Sequence, residues 1–371
     1  MNLDVFRFIA AFMIVIVHGF EGWHGWFGYP RFMTTGGDFQ TLNKPGEYLF
    51  RGIMNLGFGV DIFFLMSGFL ITYLLVKERD ETGKISLPKF YMRRILRIWP
   101  LYYFIMVLSP FLLKWLGETI QPNYLMTGFF LNNFDTMHTE KWVYPFAHFW
   151  SICIEEHFYL FWPLLVSITP KKRLIELFCL IIFISIVFRS YVALTNPQPW
   201  MTLYLHTLSR CDVLALGSLF GYLHYQKPIK IGVPFSVRLM LYTLFLCTFF
   251  IDTLVYWDNF FLAVFKKYFY VGIVGFGMYN YMFNPEAKWQ IKKKGVLHYM
   301  GKVSYGTYMY HNVVILIIIK KLMLDHHIGN MYVYAFAILV ACIIIPIISY
   351  ELIEKPFLKL KGKFEVVQTR R

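Results

Sequence analysis

Charge is what this chain has least of. Asp, Glu, Lys and Arg make up 16% of its 371 residues, against roughly a quarter in soluble domains. With 57% hydrophobic and 20% aromatic residues and a mean hydropathy of +0.50, the composition excludes an ordinary water-soluble globule. Cysteine is also sparse. Cys153, Cys179, Cys211, Cys247 and Cys342 all fall in apolar segments without CxxC or metal-ligand spacing. They read as small interior residues, and no metal centre is expected. Internal repeats, low-complexity tracts and a stretch polar enough for a soluble domain are missing too.

Apolar runs bounded by Pro, Gly and charge take their place. They predict an all-α, polytopic integral membrane bundle of about ten transmembrane helices, near 3–20, 52–76, 98–116, 148–168, 174–194, 203–223, 239–256, 262–283, 303–322 and 331–350. The first run has the look of a signal peptide. No small-residue cleavage site follows it, so it is expected to stay as a helix. The 36 Lys and Arg divide unevenly between alternate loops, 24 on one side and 8 on the other, with Arg7, Lys114, Arg189 and Arg210 inside spans. That asymmetry puts both termini in the cytoplasm. It also accounts for most of the +14 net charge, so no nucleic-acid partner is expected.

The first span, LDVFRFIAAFMIVIVH, carries Asp4, Arg7 and His18. Eleven residues turn a helix to within about 20° of three full turns, so Arg7 and His18 share a face about 16 Å apart. Ionisable groups at such depth normally face a protein interior or a wet cavity. Arg7 is either a snorkelling anchor paired with Asp4 or part of a site; His18 is either a satisfied interior histidine or a base.

Four spans bring polar groups to one expected outer level. His18 shares it with Asp61 in GVDIFFLMSGFLI, Glu155 and Glu156 in HFWSICIEEHFYLFWP, and Arg210 and Asp212 in SRCD. Each pair alone is equally an inter-helix ion pair. A carboxylate beside an imidazole fixes its tautomer and raises its basicity, as general base catalysis requires. Glu155 is the preferred partner for His18, with Asp61 next. At the expected cytoplasmic level lie Arg7 and, in FYMRRILRIWPLYY, Arg93, Arg94 and Arg97. Guanidinium forks suit phosphates; a turn binding lipid headgroups has the same composition. A phosphate-binding mouth about 16 Å below a base suits a long ligand with a charged head and a reactive tail, the shape of acyl-CoA.

These segments resemble the acyltransferase 3 family of bacterial inner-membrane O-acyltransferases. LDVFRFIAAFMIVIVH is similar to its Arg-x10-His signature, GVDIFFLMSGFLI to its second-span motif and FYMRRILRIWPLYY to its RxxR region. HFWSICIEEHFYLFWP, SRCDVLALG, GKVSYGTYMYH and YELIEKPF follow in order, so the likeness runs from residue 3 to about 357. His157 stands where glutamine is common and Cys211 where a small or apolar residue is expected. The resemblance implies a domain over 1–357, a short basic cytoplasmic tail over 358–371, and residence in the bacterial inner (plasma) membrane. It implies transfer of an acyl group, commonly acetyl, from cytoplasmic acyl-CoA to a hydroxyl of an extracytoplasmic or lipid-linked carbohydrate. His18 is then the essential histidine, Arg7 its companion and Arg94 and Arg97 the RxxR pair, with Asp61, Ser67 and Glu155 also on motif positions. Arg210 and Asp212, with Ser67, are taken as acceptor-side residues. The other reading is a transporter or flippase of lipid-linked glycans, since ten spans around a polar core suit that class as well. The aromatic loop EGWHGWFGYP reads as an interfacial belt or a sugar platform, while His311 and Glu354 stay unassigned.

Overall fold

A computed structural model describes residues 3–26, 44–226, 234–251, 259–283 and 295–367. Among the described residues every regular element is helical: α1 (Asp4–Trp26), α2 (Lys44–Asn55), α3 (Gly59–Thr82), α4 (Leu87–Trp115), α5 (Tyr124–Gly128), α6 (Asn132–Thr139), α7 (Phe149–Ile168), α8 (Leu174–Thr195), α9 (Trp200–Leu205), α10 (Thr207–Gln226), α11 (Phe235–Ile251), α12 (Phe260–Phe283), α13 (Val296–Ile317), α14 (Met331–Ser349) and α15 (Lys355–Lys361). Hydrocarbon leaves the backbone no solvent partner, and a helix satisfies its own N–H and C=O groups. Eight segments, built on α1, α3, α4, α7, α8, α12, α13 and α14, are long and apolar enough to cross a membrane. The remaining two expected spans are α10, whose 20 residues include buried Arg210 and Asp212, and the 17-residue apolar α11.

The loops are more structured than expected. Segment 117–147 folds into α5 and α6, and 195–206 contains α9. These short helices are tied to the bundle by Tyr102 Oη donating to the Thr127 carbonyl at 2.7 Å and Asn133 Nδ2 donating to the Leu205 carbonyl at 3.1 Å. Phe27 and Tyr29 of the aromatic loop lie outside the described residues, as do Lys227, Lys230, Lys288 and Lys292–Lys294 of the basic loops.

One end of the bundle gathers the start of α1, the α3–α4 turn, the end of α7 and the segment after α14. Lys171 meets Asp80 at 2.6 Å, Arg79 donates to the Thr169 carbonyl at 2.7 Å, and Arg93 donates to the Phe364 carbonyl at 2.9 Å. This is called the basic end below. At the opposite end Tyr334 Oη donates to the Gly19 carbonyl at 2.8 Å. Within α4, Pro110 cannot bond to the Met106 carbonyl one turn back. Ser109 Oγ donates to that carbonyl at 2.9 Å instead, so the helix continues.

The closest helix pair is α3 with α10. A Cβ at Gly68 would fall 1.9 Å from the Leu214 carbonyl oxygen, and one at Gly217 would fall 2.1 Å from that of Leu65. Water exclusion does not hold helices together inside lipid, so close backbone approach through small residues does. That contact fixes Asp61 on α3 beside Arg210 on α10. Replacing Gly217 by Val is expected to destabilise the protein by about 1–3 kcal/mol, read as a lower unfolding temperature in detergent. Gly329→Val, where the added carbon meets open space, is expected to leave it unchanged.

Candidate active site

Arg94 and Arg97 lie three residues apart and so share a face of α4. Opposite them α1 presents Arg7, held by Asp4 at 2.9 Å, and Asp4 also meets His298 of α13 at 2.9 Å. The three guanidiniums line a cavity of ≈ 830 Å³ with Ser67, Glu155 and Tyr305. Arg94 lies over the Tyr159 ring at 5.5 Å, and the Tyr159 hydroxyl is hydrogen-bonded to Ser67. Three cations against one carboxylate give the lining of this cavity a net positive charge. Arg93 is about 100° further round α4. It pairs with Glu78 at 3.1 Å and the Phe364 carbonyl, outside the cavity lining. The structure thus places Arg93 apart from Arg94 and Arg97, with which the sequence groups it.

A second cavity, of ≈ 840 Å³, lies towards the opposite end and is lined by His18, Glu21, Asp61, Arg189, Arg210 and Lys267 among others. His18 Nδ1 is 2.7 Å from His311 Nε2, and His18 Nε2 is 4.0 Å from Glu21 Oε2. Arg210 pairs with Asp61 at 3.0 Å and lies 5.5–5.8 Å over the rings of Phe64, Trp150 and Tyr204. A cation over aromatic faces and beside a carboxylate is compensated without solvent.

The single polar layer expected around His18 is resolved into separate groups. Glu155 goes with the arginines, where its neighbours are Ser67, Tyr159 and Arg94 rather than the imidazole. Glu156 accepts from Trp99 Nε1 at 3.1 Å. The reason is depth: His148, at the start of α7, lies beside His311 and so at the level of His18, whereas Glu155, seven residues further on, sits about 10 Å along the helix at the level of the arginines. Asp61 and Arg210 do face the second cavity. Asp212 does not: it is fully buried, and Arg189, Lys267 and Tyr268 engage it at 2.9, 2.7 and 2.5 Å. It is a fastening between α8, α10 and α12 rather than a group offered to a ligand.

The continuous polar shaft implied by the sequence is here two cavities with no lining residue in common. The wall between them is thin. Phe64 lines the first cavity and carries Arg210 of the second on its ring. Tyr308 lines the first cavity with its ring, while its carbonyl meets His311 Nδ1. Sequence reasoning passed over Glu21, Arg189, Lys267 and His148. Glu21 was findable, because it follows His18 by three residues on the same helix face. His148 precedes α7 in a loop, and only the fold shows its ring 4.4 Å from that of His311.

These features define a polytopic membrane protein in which one helix, α1, serves an arginine-lined cavity and a histidine-lined cavity. The sequence model of the acyltransferase domain family, acyltransferase 3, matches residues 2–351, and the chain belongs to that family. A Staphylococcus aureus (strain COL) protein named "Putative O-acetyltransferase" is 29% identical over 379 residues, covering 96% of this chain and 57% of the relative. O-acetyltransferase OatA of S. aureus (strain NCTC 8325) is 26% identical over 332 residues, covering 81% and 52%. The chain thus spans little more than half the length of the curated relatives it matches. No solved structure matches it.

Asp212→Asn is expected to leave Arg189 and Lys267 sharing a neutral oxygen inside the bundle. Removing one partner of a buried ion pair costs about 3–5 kcal/mol, so the variant should unfold at a markedly lower temperature in detergent. A wild-type unfolding temperature would show that Asp212 fastens nothing.

Proposed function

We propose that this chain is a membrane O-acyltransferase that moves an acyl group, acetyl in keeping with the names of its relatives, from acyl-CoA to a hydroxyl of an extracytoplasmic or lipid-linked carbohydrate. The observation that carries the reading is the pairing of an anion-receiving cavity at Arg7, Arg94 and Arg97 with an imidazole at His18, further along the same helix. In this reading both termini are cytoplasmic, in the plasma membrane. The basic cavity then faces the compartment that contains acyl-CoA, and the second cavity faces the acceptor.

Arg94 and Arg97 hold the donor's phosphates through charge-assisted forks, with Arg7 at the next level. The pantetheine arm extends towards His18 past the wall at Phe64 and Tyr308. His18 Nε2 takes the proton of the acceptor hydroxyl while that oxygen attacks the thioester carbonyl; the C–S bond breaks and CoA leaves as the thiolate. In the two-step form of the same chemistry, Nε2 itself takes the acyl group and then passes it to the hydroxyl. Asp61 and Arg210 present a paired carboxylate and guanidinium to the acceptor cavity, groups that suit sugar hydroxyls. Ser67 and Glu155 belong to the donor side.

The test is release of CoA thiol by purified protein in nanodiscs, given acetyl-CoA and a soluble sugar acceptor. Wild-type protein should release thiol, and His18→Ala should lose about 10²–10⁴ of the rate while still binding radiolabelled acetyl-CoA. A flippase or transporter releases none, and that result would end the reading. Arg97→Ala should weaken acetyl-CoA binding by about ten- to a hundredfold, from the roughly 1.5–3 kcal/mol of a charged hydrogen bond. Arg93→Ala, paired elsewhere, should leave that affinity alone.

A further inference from the structure

The His18–His311 contact has a direction that the geometry determines. His311 Nδ1 is bonded to the backbone carbonyl of Tyr308, one turn back on α13. A carbonyl oxygen only accepts, so this nitrogen of His311 carries a hydrogen. His311 is fully buried, against the rings of His18, His148 and Tyr308. An imidazolium there would be a bare charge among neutral rings in the bilayer interior, so the ring is neutral. Its Nε2 is then a lone pair.

That lone pair is 2.7 Å from His18 Nδ1. The two ring planes are within 18° of parallel and their centroids are 4.9 Å apart. With the nitrogens so close, the rings lie end to end in nearly one plane rather than face to face. The shared hydrogen therefore lies along the lone-pair axis, and it belongs to His18. A neutral imidazole has one N–H, so His18 Nε2 is bare. This is the nitrogen that points towards Glu21, in the second cavity.

We propose that His311 is the positioning residue that holds His18 in its Nδ1–H form, with the Nε2 lone pair presented to the acceptor hydroxyl. The assignment of the hydrogen stands on the hydrogen-bond geometry and the burial of His311, and its catalytic use rests on the acyl-transfer reading above. Both routes of that reading, proton abstraction and acyl capture, need Nε2 bare, and the opposite tautomer is inert in each. A carboxylate often fills this place behind a catalytic histidine. Here the chain Tyr308 carbonyl, His311, His18 does so with neutral groups, which suits a site inside a membrane because no fixed anion has to be buried.

Protein labelled with 15N-histidine in nanodiscs separates the possibilities, with His18 assigned by its loss in His18→Gln. Wild-type His18 should show a protonated Nδ1 and a bare Nε2, with a scalar coupling across the hydrogen bond to His311 Nε2. His311→Phe keeps a ring but removes the lone pair. It should shift His18 towards the Nε2–H form and lower acyl transfer by roughly 10²–10⁴-fold with an unchanged KM for acetyl-CoA. His311→Gln, whose side-chain oxygen accepts from Nδ1–H, should restore the tautomer and part of the rate. A wild-type His18 protonated at Nε2 would overturn the proposal. So would a His311→Phe variant that keeps both the Nδ1–H form and the rate. The spectra need no turnover, so a protein that transfers nothing would sink the functional reading without touching the tautomer result.

Discussion

A charge or hydrogen-bonding group carried into the membrane is costly unless another within reach answers it, and the charged groups that fasten this bundle are answered in that way. Asp212 is answered three times, by Arg189, Lys267 and Tyr268. Asp61 is answered by Arg210, and Arg210 in turn by three aromatic faces. Asp4 holds both Arg7 and His298. These pairings join α1 to α13, α3 to α10 and α8 to α12, and they leave Arg94 and Arg97 facing the first cavity and the Nε2 edge of His18, with Glu21, facing the second. The separation of fastened from presented polar groups is what gives the molecule a site.

The two sets are divided by helix packing. Glycine contacts draw α3 and α10 together until backbone nearly touches backbone, and Phe64 of α3 lies under Arg210 of α10, between the two cavities. On the other flank Ser151 and Tyr308 share a 2.5 Å hydrogen bond, and Tyr308 Oη also meets the His148 carbonyl at 3.1 Å. A donor spanning both cavities has to pass between these two supports.

Much of this was legible in the residues. Apolar run lengths located some spans to within a few positions, as α7 at Phe149–Ile168 and α8 at Leu174–Thr195 show. But α4 begins at Leu87 rather than near 98, because the helix carries on through the basic run that reads as a loop. Helical repeat alone put Arg7 and His18 on one face of the first helix. What failed depends on depth, rotation and neighbours. Glu155 was expected at the depth of His18, but α7 carries it about two turns past His148, to the level of the arginines. Arg93 sits in the right run, but its rotation gives it to Glu78. Asp212 was assigned to ligand because a lone buried carboxylate looks functional until Arg189, 23 residues earlier, and Lys267, 55 residues later, are seen to enclose it. His311 lies 293 residues from His18, and no spacing rule reaches that far.

If one extended thioester bridges the two cavities, its phosphates sit at Arg94 and Arg97 and its acyl carbon at His18. A cryo-electron microscopy structure with a non-hydrolysable acetyl-CoA analogue should then show nucleotide density against Arg94 and Arg97, and an acetyl group beyond Phe64 and Tyr308 within hydrogen-bond reach of His18 Nε2. Density for the nucleotide away from those arginines, or an acetyl end stopped on the near side of that wall, would contradict it.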